Sequence, residues 1–181
     1  YWSDEDKAFI AEAPEWQVAP LTNDAVEYTP IAASVAKNLL VWDSQMPRVY
    51  RAMTEVNGAP QIGSTARTLG VRVPTDISVD SAGFVTPGTG GMSVAPRWRD
   101  LPRHRIPSRL RHVIPAASGS NLDACFRIGD GGFVSGGLAA GLQLRPDSPI
   151  HGCVEPDAAE PLGQYQADLA ATRHQWIIDE T

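Results

Sequence analysis

Along this chain the hydrophobic positions change rhythm twice. At the start, Ser3 and Asp6 precede the run DKAFIAEA, the pattern of a capped short helix with Phe9 and Ile10 on its buried side. The apolar run from Ile31 to Trp42 (IAASVAKNLLVW) is short and mixes Val and Ile with Ala and Leu, so it is left unassigned between helix and strand. From Arg48 onward short β-branched runs, among them RVYRAM, GFVTP, ACFRI, LQLRP and HGCVEP, are separated by Gly, Pro, Asn and Asp, which predicts a mainly β body. A single helix interrupts it. Leu162, Tyr165, Leu169, Thr172 and Trp176 recur at helical spacing behind Pro161, and the helix is expected to end near Arg173. The glycine-rich GDGGFVSGG at 129 to 137 reads as a hairpin turn rather than a phosphate loop, because no helix signal follows it.

Composition narrows the class. With 43% hydrophobic and 20% charged residues, the chain is too apolar for a disordered polymer, and its 181 residues suffice for one domain with an unaided core. The net charge of −6 hides a segregation: residues 1 to 30 carry seven acids and one base, whereas 97 to 111 carry six arginines (97, 99, 103, 105, 109 and 111) against Asp100. An acidic whole argues against broad duplex binding, while the basic island leaves room for a local anion site. Its prolines 96, 102 and 107 predict an irregular loop that shapes the rim of a cleft. The two cysteines, 125 and 153, read as free buried thiols; no disulfide framework and no zinc site is expected from their spacing. No apolar run approaches a membrane span, and the acidic opening YWSDED carries no signal-peptide pattern, so a cytoplasmic protein is expected.

Three constellations could carry chemistry. In RVYRAM, strand alternation sends Arg48, Tyr50 and Ala52 one way and Val49, Arg51 and Met53 the other. An inward Arg51 among apolar neighbours needs an anion, which is either a structural ion-pair partner or a ligand. The segment FVTPGTGGMSVAPRWRDLPRHR, 84 to 105, combines a sharp Pro-Gly loop with the hydroxyls of Thr89 and Ser93; a hairpin with a bulge explains its glycines equally well. In IHGCVEP, 150 to 156, a strand would place His151, Cys153 and Glu155 on one face, either as a site or as an exposed edge.

Taken in order, VYRA at 49 to 52, PGTGGMSV at 87 to 94 and HGCVEP at 151 to 156, followed by a helix, the chain resembles the type VI secretion exported toxins, whose fold is similar to ADP-ribosyltransferase toxins. The resemblance spans roughly residues 48 to 172. It implies an α+β fold: a mixed split β-sheet sandwich of ADP-ribosyltransferase type with a few peripheral helices. The corresponding organisation is an N-terminal extension, 1 to 47, packed on an ADP-ribosyltransferase-like domain, 48 to 181. It also implies a central cleft for nicotinamide adenine dinucleotide (NAD) as co-substrate, without a metal. Arg51 would then pair with the pyrophosphate, Ser93 would orient the nicotinamide ribose or the catalytic carboxylate, and Thr89, Gly90 and Gly91 would line the same wall. Cleavage of the nicotinamide bond develops an oxocarbenium-like centre that a carboxylate stabilises. Glu155, beside His151, is the candidate from strand geometry; a second acid two residues upstream is lacking, Cys153 standing there, and Glu180 is the other candidate.

The function expected on this basis is a toxin-like NAD-dependent ADP-ribosyltransferase or NAD-cleaving enzyme, possessing an unknown macromolecular acceptor and delivered into a neighbouring cell by a secretion system. A non-catalytic interaction protein of the same fold, engaging an acidic partner such as an immunity protein through its arginines, is the competing reading. An RNA-directed toxin, resting on Arg97 to Arg111 interleaved with Trp98, His104 and His112, is a third.

Overall fold

The structure is a computed structural model, and it describes residues 46–181. The expected N-terminal helix, the apolar run at 31 to 42 and the packing of the extension lie outside the described residues.

The alternation in VYRAMTEV forms a long strand, β1 (Val49–Val56). It turns through Asn57 and Gly58, both at positive φ (55° and 79°), into β2 (Ala59–Pro60), which is the left-handed pair that a two-residue hairpin demands. After β3 (Phe84–Val85) and β4 (Met92–Val94), the chain passes through the arginine-rich stretch to β5 (Asp123–Ile128). There follow β6 (Gly136–Ala139), β7 (Leu142–Ser148), β8 (His151–Pro156), β9 (Glu160–Pro161), α1 (Leu162–Ala171) and β10 (Ile177–Ile178). The described residues are thus α+β, dominated by strands, and the helix expected behind Pro161 is there, with Pro161 as its N-cap and a 3-10 turn continuing it from Thr172 to Gln175.

Two four-stranded sheets carry the architecture, in the orders β10-β5-β1-β2 and β4-β8-β7-β6, with β3 and β9 pairing apart. All named strands pair antiparallel, and parallel pairing is confined to the isolated bridges Ile62–Leu69 and Pro107–Gly119. The sheets meet at one point. Tyr50 of β1 and Ala95, just past β4, exchange both backbone hydrogen bonds (2.7 and 2.9 Å), beyond which the sheets diverge. GDGGFVSGG is not a hairpin turn: it crosses from β5 in one sheet to β6 in the other, and its last residues enter β6. Its glycines serve a crossover, for which local sequence carries no distinct signature.

Both faces of β1 are covered, so its alternation separates two cores rather than a core from solvent. Val49 and Met53 join Phe126, Val154, Leu144, Tyr165 and Trp176 between the sheets and α1. Tyr50 and Ala52 join a second cluster with Trp98, Leu101, Ile106 and Leu110, all contributed by the arginine-rich stretch. That stretch is amphipathic: its apolar residues cover the outer face of the first sheet while its arginines turn outward or into ion pairs. No helix among the described residues is long and apolar enough to cross a membrane.

Tyr165, fully buried on α1, ties the helix to the second sheet. Its hydroxyl donates to the Val154 carbonyl (2.6 Å) and accepts from the Met92 amide (3.2 Å). Burial pushes this phenol up, beyond the range in which it could ionise. Tyr165→Phe keeps the ring but strands two buried backbone groups, and is expected to cost about 1–3 kcal/mol. Urea denaturation of the variant against the parent checks this.

Candidate functional site

Where the sheets diverge they leave a cleft of about 320 Å³, and Arg51, Ser93 and His151 all line it. Residues 100 positions apart in sequence therefore reach one place: Arg51 from β1, Ser93 from β4, His151 from the start of β8. The opposite rim comes from the basic stretch as Leu101, Pro102, His104 and Arg105, in keeping with the irregular loop expected there.

Arg51 is 6% exposed, an unusual position for a guanidinium. Nη1 donates to the Ser93 carbonyl (2.6 Å) and Nη2 to the Ala66 carbonyl (3.2 Å), whereas the buried Nε has no partner. Among the described residues no carboxylate forms an ion pair with it. Burial, reinforced by the charge of Arg105 and opposed by that of Asp76, brings its pKa down to about 10, so it still carries its charge at neutral pH. Arg105 is itself lowered by partial burial and by Arg72. The one acid of the cleft wall, Asp100, is engaged by Arg97 (2.7 and 3.0 Å). Two arginines and two histidines face a space with no uncommitted carboxylate on its wall, which suits an anion.

His151 is held from outside the cleft. Its Nδ1 donates to the Asp147 carboxylate (2.8 Å), four residues back across the β7–β8 turn. His151, Cys153 and Glu155 do share a strand face, opposite Ser148, Arg145 and Gln143 of β7, as strand alternation predicts. Their environments differ. β8 is an interior strand, flanked by β4 and β7, so the exposed-edge alternative for this segment falls. Cys153 is half-buried and its thiol is pushed up by burial and by Asp147, while the fully buried Cys125 is raised to about 12.

Glu155, at 1% exposure, does not line the cleft. It accepts from the Gly88 amide (2.8 Å) and from Gln143 Nε2 (3.2 Å), and pairs with Arg145 Nε (3.3 Å). The cap on it is a turn: Thr86-Pro87-Gly88-Thr89 closes with the Thr89 amide on the Thr86 carbonyl (3.2 Å) and Gly88 at φ +85°. That is the Pro-Gly signature of a type II turn, and it aims one N–H at the carboxylate. Thr89, Gly90 and Gly91 do not form a wall of the cleft. Thr89 is exposed and donates to the Thr86 carbonyl, Gly90 bridges to Ile77, and the Gly91 amide donates to the Asp76 carbonyl (2.8 Å). Gly90 packs this loop on the backbone at 76 to 77 and Gly91 packs it on the backbone of Val154, close approaches that a residue-type pattern does not distinguish from ligand contact. Glu180, the other candidate carboxylate, accepts from Arg109 (2.7 and 2.8 Å) and from the Cys125 amide (3.0 Å), pinning the C-terminal segment to β5, and does not line the cleft. Sequence reading missed Asp147 and Arg145, both in β7, where the only signal is the short β run LQLRP.

Neither a protein-family model nor a curated protein matches the chain.

Asp76 supplies the electrostatic counterweight nearest in effect to Arg51. Burial pushes its carboxyl up, but side-chain and backbone hydrogen bonds from Arg72, with the charges of Arg72 and Arg51, outweigh this and hold it below its ordinary value of 3.8. A depressed carboxylate stabilises the fold above its unfolded-state value and ceases to do so as pH falls through the folded-state one. Asp76→Asn is therefore expected to lower stability at about pH 5 and to narrow its gap to the parent as pH approaches about 2. Urea midpoints of the two proteins across that range check the sign.

Proposed function

We propose that the protein is a toxin-like NAD-dependent ADP-ribosyltransferase or NAD-cleaving enzyme that grips the dinucleotide in this cleft. The observation that carries the reading is Arg51, a buried guanidinium with an unpartnered Nε on the wall of a cationic cleft. A planar fork of donors suits the oxygens of a pyrophosphate, and leaving such a charge buried without a partner is costly unless a ligand supplies one. The finer fold assignment, a split sandwich of ADP-ribosyltransferase type, belongs to the same proposal. It is supported by the strand order along the resemblance and by two sheets joined at Tyr50 and Ala95. Delivery into a neighbouring cell and a macromolecular acceptor come with the resemblance alone.

In the reaction, the bond between ribose C1′ and the nicotinamide nitrogen breaks and its electron pair leaves with nicotinamide. An acceptor or water attacks C1′ and releases its proton to solvent. Positive charge on the ribose favours a nearby carboxylate. Glu155 remains the candidate, with Ser93 and His151 on the cleft side of the same strands. Its carboxylate is engaged by Gly88, Gln143 and Arg145, so it acts on a ribose only when the turn at 86 to 89 releases it.

That engagement favours a second reading, a non-catalytic interaction protein of this fold, binding a partner such as an immunity protein. The RNA-directed alternative loses ground for a different reason: Trp98 is buried, 2% exposed, rather than offered as a stacking surface.

Purified protein incubated with NAD, with and without macromolecular targets, is expected to release nicotinamide. NAD at a hundredfold excess over its dissociation constant is expected to stabilise the fold by about 2.7 kcal/mol. Arg51→Ala, each protein referred to its own unliganded melting temperature, is expected to lose most of that gain. Glu155→Gln is expected to keep it and to lose turnover by about a hundredfold or more. Binding without turnover in the wild type would remove catalysis from the proposal, and neither binding nor turnover leaves the interaction protein.

A further inference from the structure

The chain's two cysteines stand in contrasting places, Cys125 fully buried and Cys153 half-buried on the polar face of β8. His151 lies two residues before Cys153 on that face, and the β7–β8 hairpin brings a third side chain to them. The ladder runs Arg145 to Cys153 and Pro146 to Gly152, then shifts so that Ser148 opposes His151. Asp147 is the extra residue of this bulge, a device that re-aims a side chain at a strand end. One ligand atom from each of Asp147, His151 and Cys153 lies within 4.8 Å of the other two.

We propose that Asp147, His151 and Cys153 bind a divalent transition-metal ion of the zinc class. An imidazole nitrogen, a thiolate and a carboxylate oxygen form a mixed donor set that such borderline ions prefer, and that magnesium or calcium does not. The geometry is close to what the ion needs. Bonds of about 2.0 Å to nitrogen and oxygen and about 2.3 Å to sulfur set tetrahedral ligand atoms roughly 3.3–3.6 Å apart. The Asp147–His151 pair, now 2.8 Å apart around a shared proton, opens slightly as the ion replaces that proton, and the Cys153 sulfur closes in by side-chain rotation. All three side chains are exposed or half-buried, so these adjustments meet little packing resistance.

The site is also held together before any ion arrives, because one hairpin with a two-residue turn carries every ligand, and little loop-closure entropy remains to oppose binding. Arg145, facing Cys153 across the ladder, has its charge engaged by Glu155. Three protein ligands leave a fourth position open. Since His151 also lines the cleft, the ion stands at the cleft's edge, whether or not the cleft takes a dinucleotide.

The test uses Co²⁺ as a spectroscopic stand-in for zinc. Titration of the full chain is expected to give one ion bound per molecule with a thiolate-to-cobalt charge-transfer band. All four histidines and both cysteines lie between 104 and 174, so the band has only two sulfurs to come from. Cys153→Ser is expected to abolish it and Cys125→Ser to leave it. His151→Gln and Asp147→Asn are each expected to weaken binding by about tenfold or more. Circular dichroism and melting curves confirm that each variant is folded; the exposed Asp147 keeps the test open should Cys153→Ser not fold. A folded wild type that gives no band overturns the proposal, as do a band retained by Cys153→Ser and an affinity unchanged in Asp147→Asn and His151→Gln.

Discussion

Everything around the cleft depends on one backbone contact, the exchange of hydrogen bonds between Tyr50 and Ala95. It joins the first sheet to the second at a single bridge, so the two share an origin but not a plane. The cleft lies beside this bridge: Ala95 lines it together with Arg51 and Ala52 from the first sheet and Ser93 and Val94 from the second. Arg51 donates across the junction to the Ser93 carbonyl, so one residue both braces the junction and lines the space beside it.

A buried arginine is a costly brace. Carbonyl partners satisfy Nη1 and Nη2 but neither Nε nor the charge, and the charges of Arg105 and Arg72 lie on the same side of the balance, opposed by Asp76 and, to a smaller degree, by Tyr165. A purely structural solution would put a carboxylate within ion-pair reach, as the fold does elsewhere: Asp123 takes Arg67, Asp179 takes Arg127, and Glu180 takes Arg109. Departure from this habit at a buried guanidinium on the cleft wall is the physical reason to read the cleft as a place for an anion. The acidic chain's basic island has a structural side as well: Arg97, Arg109 and Arg111 are committed to acids and carbonyls, while its Trp98, Leu101, Ile106 and Leu110 form a second core.

Period-two alternation made β1, β5 and β8 legible, and helical spacing made α1 legible, because in each case packing selects one face of a regular element. Alternation also put Arg51 inward and His151, Cys153 and Glu155 on one face, and these hold. What it could not supply was depth along the face. From His151 to Glu155 the environment passes from cleft rim to full burial within one strand, and the cause is the turn at 86 to 89, some 67 positions away in sequence from the carboxylate it caps. Likewise the glycines at 90 and 91 suggest freedom near a ligand, when the neighbours they admit are the chain's own backbone, at 76 for Gly90 and at Val154 for Gly91. Local pattern fixes which way a side chain leaves the strand, while long-range contacts decide what it meets.

The two ends of that face of β8 also differ in how freely their groups can exchange partners. Glu155 has three donors on it and almost no exposure, so any new role for it requires breaking a charge-assisted pair and a backbone hydrogen bond together. His151 and Asp147 have mainly each other, at the tip of a hairpin, where side chains turn at little packing cost. Chemistry that needs a fixed, dry carboxylate belongs to the first end and chemistry that needs an adaptable ligand to the second. Only the second end reaches the cleft, where His151 shares the wall with Arg51 and Ser93, so an occupant of the cleft meets the adaptable imidazole while the carboxylate stays capped behind the turn at 86 to 89.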